Sequence, residues 1–182
     1  MPRILPPAPE DMTDAQRQFR DNIVSGPRGG MGGPFQAWMH SPDFADRAQK
    51  LGEYCRFNSV LETRLSELAI LITARHWTAQ FEWYAHAPMA LKGGLSPAVI
   101  EALRLGAQPE FAKADEAAIH AFCTELYRDA RVSDATYAQA KAQLGSQGLV
   151  DLVGILGYYA MVSMTLNVFE MPLPDGIAPP LS

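Results

Sequence analysis

Cysteine is scarce in this 182-residue chain, which contains only Cys55 and Cys123. The two lie far apart and each falls within a helical pattern, so we predict no disulfide framework and expect a reducing compartment. The N-terminus also lacks the unbroken apolar stretch of a secretory signal, because prolines and acids interrupt MPRILPPAPEDMTD. We therefore expect a cytoplasmic protein.

Basic residues are also few. The chain has 15 Lys and Arg against 20 Asp and Glu, a net charge of −5, and no segment clusters the cations as a phosphate-binding surface requires. Nucleic acid is therefore not an expected partner. With 48% hydrophobic residues the chain can bury its own core, and we predict one domain over residues 1–182.

No run alternates apolar and polar residues, so strands are not predicted. Helical spacing and helix-start signals recur instead, and the predicted class is all-α. The predicted caps are Thr13, Ser41, Thr78, Ser96 and Ser133. The predicted helices cover about 13–24, 42–57, 61–76, 78–91, 97–105, 115–130, 134–144 and 149–169.

Apolar residues recur on one stripe in two of these helices, and both stripes are predicted to face the core. They are Phe44, Ala48, Leu51 and Cys55 in the second helix and Leu65, Leu68, Ala69 and Ile72 in the third.

Glycine and proline mark the two ends of the chain. Residues 1–34 are predicted to form an N-terminal arm and a glycine-rich loop, GPRGGMGGP at 26–34. No strand precedes that loop and no Gly-Lys-Ser/Thr follows, so an ordinary or ligand-covering loop is favoured over a phosphate loop. Residues 170–182 are too rich in proline for a helix and are predicted to lie extended.

The segment Leu152 to Phe169 carries no charge and approaches the length of a membrane span. Tyr158 and Tyr159 lie in its middle, polar residues follow them, and no Lys or Arg occurs after Lys141. We therefore predict a helix buried in the core or a subunit interface, and no membrane partner.

Ionisable and aromatic residues concentrate between Arg64 and Ser96. Ala79, Glu82 and His86 are spaced to project from one helical face. On the preceding helix Arg64, Glu67, Leu71 and Arg75 form a similar stripe. If the two helices pack antiparallel through their short connection, the Glu67 carboxylate can approach the His86 imidazole.

Such a cluster has a chemical use and also an ordinary structural explanation. An imidazole can pass a proton to or from carbon while a carboxylate fixes its tautomer, and an arginine can hold a carboxylate substrate. The same residues can instead form helix-surface ion pairs without catalytic function.

The string E-L-A-I-L-x-x-A-R-x-W from Glu67, followed by E-W-x-x-H ending at His86 and A-x-x-x-G-L-S ending at Ser96, resembles the carboxymuconolactone decarboxylase family. The resemblance is best over residues 41–105. It implies an all-helical, alkyl hydroperoxidase D-like bundle that assembles as a homotrimer or homohexamer, with active sites near subunit contacts.

A redox branch of that family carries a Glu before a Cys-x-x-Cys pair, with a His four residues after the second cysteine. In this sequence the Glu corresponds to Glu67 and the His to His86, but Ala79 and Glu82 occupy the cysteine positions. Neither residue can attack a peroxide or resolve a sulfenic acid. The resemblance therefore implies that thiol peroxidase activity is absent here.

The decarboxylase branch acts on small cyclic lactone acids from aromatic catabolism without metal or organic cofactor. The resemblance implies that His86, Glu67 and Glu82 are catalytic, and that Arg64, Arg75 and Trp83 bind the substrate. Decarboxylation leaves a dienolate, which needs oxyanion stabilisation and one proton at carbon.

Three other functions remain open at this point. They are a peroxidase-type antioxidant protein, opposed by the missing cysteines; a metal site formed by Glu67, Glu82 and His86; and an oligomer that binds an apolar small molecule. The chain is about fifty residues longer than the short decarboxylases of the family, so another lactone, keto acid or enol is also a candidate substrate.

Overall fold

The structure is a computed structural model that describes residues 2–26 and 30–182. Its α-helices are α1 Asp14–Ser25, α2 Phe35–Trp38, α3 Pro42–Glu53, α4 Thr63–His76, α5 Gln80–Lys92, α6 Pro97–Arg104, α7 Ala114–Asp129 and α8 Asp134–Val168. A 3₁₀ turn at Pro9–Asp11 precedes α1, and a π-helical turn at Tyr54–Asn58 follows α3. No strand occurs in the described part of the chain, and the all-α prediction is confirmed. Within the glycine-rich segment, residues 27–29 lie outside the described residues.

Three predicted helix caps are confirmed by their hydrogen bonds. The Thr13 hydroxyl accepts from the backbone N–H of Gln16, whose side chain accepts from the Thr13 N–H in return. Ser96 and Ser133 likewise accept from backbone N–H groups at the starts of α6 and α8. Each side chain satisfies a donor that has no partner inside the helix.

Two other predicted caps behave differently. Thr78 does not cap α5, because it adopts a left-handed conformation with φ of 49° and Ala79 takes the N-cap position. Ser41 occupies the N-cap of α3, but its side chain makes no capping hydrogen bond. Proline at the first helical position, Pro42, favours the helical start there without such a bond.

The predicted apolar stripe of α3 is only partly correct. Ala48 and Cys55 are buried as predicted, whereas Phe44 and Leu51 are a little under half exposed. The buried face of α3 instead uses Ala45, Ala48 and Gly52, which are small enough to let the helix approach its neighbours closely. Periodicity therefore placed the buried face partly on the wrong side of the helix, because it followed the large apolar residues rather than the small ones.

The last two predicted helices form α8, which is interrupted at Gly145. This glycine has φ of 68° and ψ of 178°, a conformation that residues with a side chain rarely adopt. The helical geometry resumes directly after it, so the second segment begins a few residues earlier than predicted.

Helix α4 lies at the centre of the fold and packs against α5, α7 and α8. All its residues from Arg64 to Ala74 are buried, including Leu68, Ala69 and Leu71, which are fully enclosed. Its predicted core-facing stripe is confirmed. Because α4 is surrounded, its polar residues must find partners inside the protein or on a cavity wall.

Helix α8 contributes one face to this core, through Leu152, Ile155 and Tyr159. The prediction that its apolar segment is buried in the core is confirmed for that face. Within the described residues, α8 is also the one helix long and apolar enough to cross a membrane. Its most apolar stretch of 18 residues has a mean hydropathy of 1.6, but 56% of that stretch is buried against its own chain.

The C-terminal segment after α8 is irregular, as predicted. It is held by Gln80, whose amide donates to the Leu181 carbonyl and whose oxygen accepts from the Leu181 N–H, both at 2.9 Å. Arg104 donates to Pro180 and Arg75 to Ser182. These bonds fasten residues 180–182 against α4, α5 and α6.

Candidate active site

The pairing of α4 with α5 brings the predicted carboxylates and imidazole together. The connection between the two helices is only three residues, so they pack side by side, with Glu67 and His86 facing each other. The Glu67 Oε2 lies 2.7 Å from His86 Nδ1, and Glu82 Oε1 lies 3.0 Å from His86 Nε2. The predicted contact between Glu67 and His86 is confirmed, and both ring nitrogens are bound by carboxylates.

All three side chains are shielded from water, each with about 4% of its surface exposed. Burial lowers the pKa of His86, but the charge of Glu82 and the hydrogen bonds to Glu67 and Glu82 outweigh it and raise the pKa to about 9. At neutral pH the ring is therefore an imidazolium that donates both N–H groups. The cluster holds one transferable proton between two carboxylates.

The pKa of His86 gives a testable dependence of stability on pH. A histidine with a raised pKa stabilises the folded state fully below its unfolded value near 6.5, and loses that contribution as pH rises through about 9. We expect this group to remove up to about 3 kcal/mol from the free energy of unfolding across that window. Urea denaturation at several pH values would measure it.

The control for this measurement is His86→Gln, which cannot titrate. The difference in unfolding free energy between the native protein and the variant should shrink from pH 6.5 to 9. If the two proteins show parallel pH profiles, the imidazolium between the carboxylates is not the titrating group.

Tyr159 of α8 completes the buried cluster, and the sequence analysis did not identify it. Its ring meets the His86 ring edge to face, with 5.0 Å between centroids. Burial and the charges of Glu82 and Glu67 raise the pKa of its hydroxyl well above the ordinary value. The phenol therefore stays neutral. In the sequence, the pattern that pointed to this residue was the pair Tyr158 and Tyr159 in the middle of an otherwise apolar helix.

A cavity of about 660 Å³ opens beside the cluster. Its wall includes Arg56, Phe57, Arg64, Glu67, Met89 and Lys92. Glu67 thus reaches the cavity, whereas His86 and Glu82 lie behind it in the protein interior. A molecule in the cavity would meet the carboxylate of Glu67 before the imidazole.

Arg64 lies on the cavity wall, but its guanidinium is occupied elsewhere. It is buried and forms ion pairs with Asp115 at 2.7 Å and Glu116 at 2.5 Å, both at the start of α7. These two carboxylates use the charge that was predicted to bind substrate. The structure therefore gives Arg64 the role of joining α4 to α7.

Arg75 and Trp83 are not brought to the cavity. Arg75 is eight residues beyond Glu67 on the same helix, a rise of about 12 Å, and faces a separate cavity of about 400 Å³ with His76 and Tyr127. The Trp83 indole is 3% exposed and packs in the hydrophobic core. Neither residue lines the cavity beside the cluster, because helical spacing shows which way a side chain projects but not which element it meets.

Neither cysteine lines the cavity beside the cluster. Ala79 is fully buried at the start of α5, and Glu82 is bound to His86. Cys55 and Cys123 are buried elsewhere and form no disulfide, and burial raises the pKa of the Cys123 thiol far above its usual range. Cys123 is therefore a protonated core residue rather than a nucleophile.

The geometry also bears on the metal-site alternative. Glu67 and Glu82 approach opposite nitrogens of the ring, so the three side chains do not converge on one point. Within residues 2–26 and 30–182, no group of three or more His, Cys, Asp or Glu side chains is arranged to hold a metal ion. The donor set does not fit a bound cation.

The helices and their order define this chain as an all-α protein with the alkyl hydroperoxidase D-like fold. No protein-family model matches the sequence, and no curated protein matches it. The fold is thus established from solved structures, while the finer resemblance to carboxymuconolactone decarboxylases stays a prediction.

Two of those structures are uncharacterised peroxidase-related proteins. One, described as an alkylhydroperoxidase AhpD core, comes from Ralstonia eutropha JMP134, with a TM-score of 0.78, 15% identity, and coverage of 96% of this chain and 93% of that one. The other, from Silicibacter sp. TM1040, has a TM-score of 0.78 and 12% identity, covering 96% and 92%.

A third is a protein of unknown function from Agrobacterium tumefaciens, described as a candidate antioxidant defence protein AhpD. It has a TM-score of 0.67 and 15% identity, covering 76% of this chain and 95% of that one. Identities this low establish a shared fold and no shared activity.

Proposed function

We propose that this chain is a cofactor-independent enzyme of the carboxymuconolactone decarboxylase type, which transfers a proton at a carbon of a small carboxylated lactone or related enolisable acid. The observation that supports this most directly is the buried Glu67–His86–Glu82 chain, which ends at a cavity wall. It provides a protonated imidazole at neutral pH and a carboxylate that a substrate can reach.

The proposed step uses the cavity-facing group first. The bond to the departing carboxylate breaks, carbon dioxide leaves, and the electron pair forms a dienolate. Glu67, having received the Nδ1 proton of His86, gives it to the substrate carbon, and His86 is later reprotonated from solvent. Glu82 holds the ring orientation throughout. His86 thus acts through Glu67, whereas the residue pattern alone suggested that the imidazole itself passes a proton to or from carbon.

Tyr159 has a supporting role in this proposal. Its neutral hydroxyl cannot compete for the proton. Its ring packs edge to face against the imidazole and so restricts rotation of the imidazole ring. A ring held by two carboxylates and a tyrosine keeps its orientation between turnovers, which is what proton transfer along a fixed path requires.

The antioxidant alternative is supported by the descriptions of the structural neighbours alone. Thiol peroxidases need a thiolate and a resolving thiol, and the corresponding positions hold Ala79 and Glu82. A direct comparison of activities tests the proposal. Purified protein should release carbon dioxide from a carboxymuconolactone or a related lactone acid, and should not consume peroxide at the expense of a dithiol. The opposite result would replace the proposed function with the antioxidant one.

We also propose that the native protein is a homo-oligomer, a trimer or hexamer, joined through the exposed face of α8. This face consists of Val150, Val153, Met164 and Val168. Between them, side-chain space at Gly154 and Gly157 is open, so another helix could approach closely. An apolar face of this extent is rarely left to water. A second copy is the favoured occupant, because the other face of α8 is buried in its own chain and cannot face lipid.

Light scattering on the purified protein tests this assembly. Val153→Asp should weaken association by about tenfold or more, since a buried unpaired carboxylate costs several kcal/mol. Val24→Asp is the matched control, because Val24 and Val153 are both 51% exposed but Val24 lies on α1. A native monomer, or equal effects of the two variants, would contradict the proposed interface.

A further inference from the structure

Arg56 is a cation on the cavity wall that the sequence analysis did not select. It belongs to the π-helical turn Tyr54–Asn58, which continues from the end of α3 and stops at the extended Ser59, and both Arg56 and Phe57 line the cavity. Single π-helical turns are rare and occur frequently at functional sites. The turn therefore marks Arg56 and Phe57 as candidate functional residues.

The guanidinium of Arg56 is weakly engaged. One nitrogen contacts the Met89 sulfur at 3.0 Å, and the group lies 5.1 Å from the centre of the Phe57 ring. A thioether sulfur is a weak hydrogen-bond acceptor, and the contact with the Phe57 ring uses the positive charge of the guanidinium rather than a hydrogen bond from its N–H groups. Within residues 2–26 and 30–182, no carboxylate lies within ion-pair distance of Arg56, in contrast to Arg64. Most of its five donors are thus available to a ligand.

Arg56 also lies close to the buried cluster, because it lines the same cavity as Glu67. Burial and the charges of Glu82 and Glu67 raise the pKa of Tyr159, and the positive charge of Arg56 partly offsets them. Tyr159 in turn contacts the His86 ring. A carboxylate held by Arg56 would therefore leave the rest of a small molecule near Glu67.

The charge and shape of the cavity indicate what it accepts. Of the charged side chains on its wall, Glu67 is paired with His86, and Arg64 is paired with Glu62, Asp115 and Glu116. Within residues 2–26 and 30–182, the wall cations Arg56 and Lys92 form no ion pair, so an added carboxylate can bind between them and the apolar wall. Phe57 and Met89 provide apolar surface beside Arg56. A cavity of about 660 Å³ is within the usual size range of small-molecule sites.

We infer that Arg56 is the residue that binds the carboxylate of a small, mainly apolar organic acid in this cavity, with Phe57 and Met89 contacting its carbon skeleton. A planar guanidinium can bind a carboxylate through two parallel hydrogen bonds. The inference deepens the proposed function and depends on it for the claim that the bound acid is a substrate. It assigns to Arg56 the role that the sequence analysis gave to Arg64 and Arg75.

Calorimetric titration of the full-length protein with benzoate and cyclohexanecarboxylate tests the inference, with benzamide as the uncharged probe. The acids should bind and the amide should not. Arg56→Gln should weaken acid binding by about tenfold or more. Arg56→Lys should weaken it less, because the positive charge remains although the two parallel N–H donors of the guanidinium are lost. Arg75→Gln, the matched control in the other cavity, should change binding by no more than about twofold.

No binding of either acid by the native protein, equal binding of the amide, or an equal loss in Arg75→Gln would overturn the inference. If acids bind through Arg56 but no lactone acid is turned over, the binding site stands and the proposed function fails. If lactone acids are turned over and Arg56→Gln leaves KM unchanged, the proposed function stands and the inference fails.

Discussion

Replacing His86 with glutamine is expected to lower turnover of a lactone acid by about 10²- to 10⁴-fold, the range that general acid–base groups contribute. Glutamine can occupy the space between Glu67 and Glu82 and hydrogen-bond to a carboxylate, but it holds no transferable proton. The steady-state rate, measured by carbon dioxide release, checks the expectation. Circular dichroism should show that the helical fold persists.

The matched control removes both thiols. Cys55→Ala together with Cys123→Ala should leave turnover within a few-fold of the native rate, because the proposed proton transfer uses no thiol and neither cysteine lines the cavity. A peroxidase would give the reverse pattern. Retained turnover in folded His86→Gln would exclude proton transfer through this imidazole, even if the fold assignment is unaffected.

Replacing Arg64 with leucine is expected to lower the free energy of unfolding by about 3–5 kcal/mol. The substitution keeps an apolar stem on α4 but leaves the Glu116 carboxylate buried and the Asp115 carboxylate half-buried without their cation. Removing one partner of a buried ion pair is far more destabilising than removing the pair. Urea denaturation followed by circular dichroism measures the change.

Arg104→Leu provides the control for this substitution. Arg104 pairs with Glu101 one turn away on the exposed surface of α6 and donates one hydrogen bond to the Pro180 carbonyl, so its loss should cost no more than about 2 kcal/mol. Adding Glu116→Leu to Arg64→Leu should recover part of the lost stability, because the double variant no longer buries an unpaired carboxylate at position 116. Equal effects of Arg64→Leu and Arg104→Leu would show that the link between α4 and α7 is not a stabilising contact.

The contact between Glu67 and His86 could be predicted because it depends on local features alone. Two consecutive helices joined by a few residues must pack side by side, and helical spacing places both residues on facing sides. The caps at Thr13, Ser96 and Ser133 follow from equally local chemistry. Such features need no knowledge of distant segments.

The contacts of the candidate substrate-binding residues could not be predicted, because their partners come from distant parts of the chain. Arg64 is bound by carboxylates about fifty residues further along, and Tyr159 approaches His86 from the last helix. Helical phase shows which way a side chain projects but not which helix it meets. Arg56 was missed for a related reason, since a regular α-helix was assumed through residue 57 and the π-helical turn changes the phase there.

That turn has a consequence for how the cavity is encoded. A π-helical turn holds one more residue than an α-helical turn, so it is equivalent to a single-residue insertion. Deleting Cys55 would convert the turn to α-helical geometry and rotate the preceding helix by about 100° relative to Arg56 and Phe57, although both of these residues are retained. The cavity lining is therefore set by the number of residues in this segment as much as by their identity. Gaps in an alignment, rather than substitutions, would mark the relatives of this protein that lack the same binding surface.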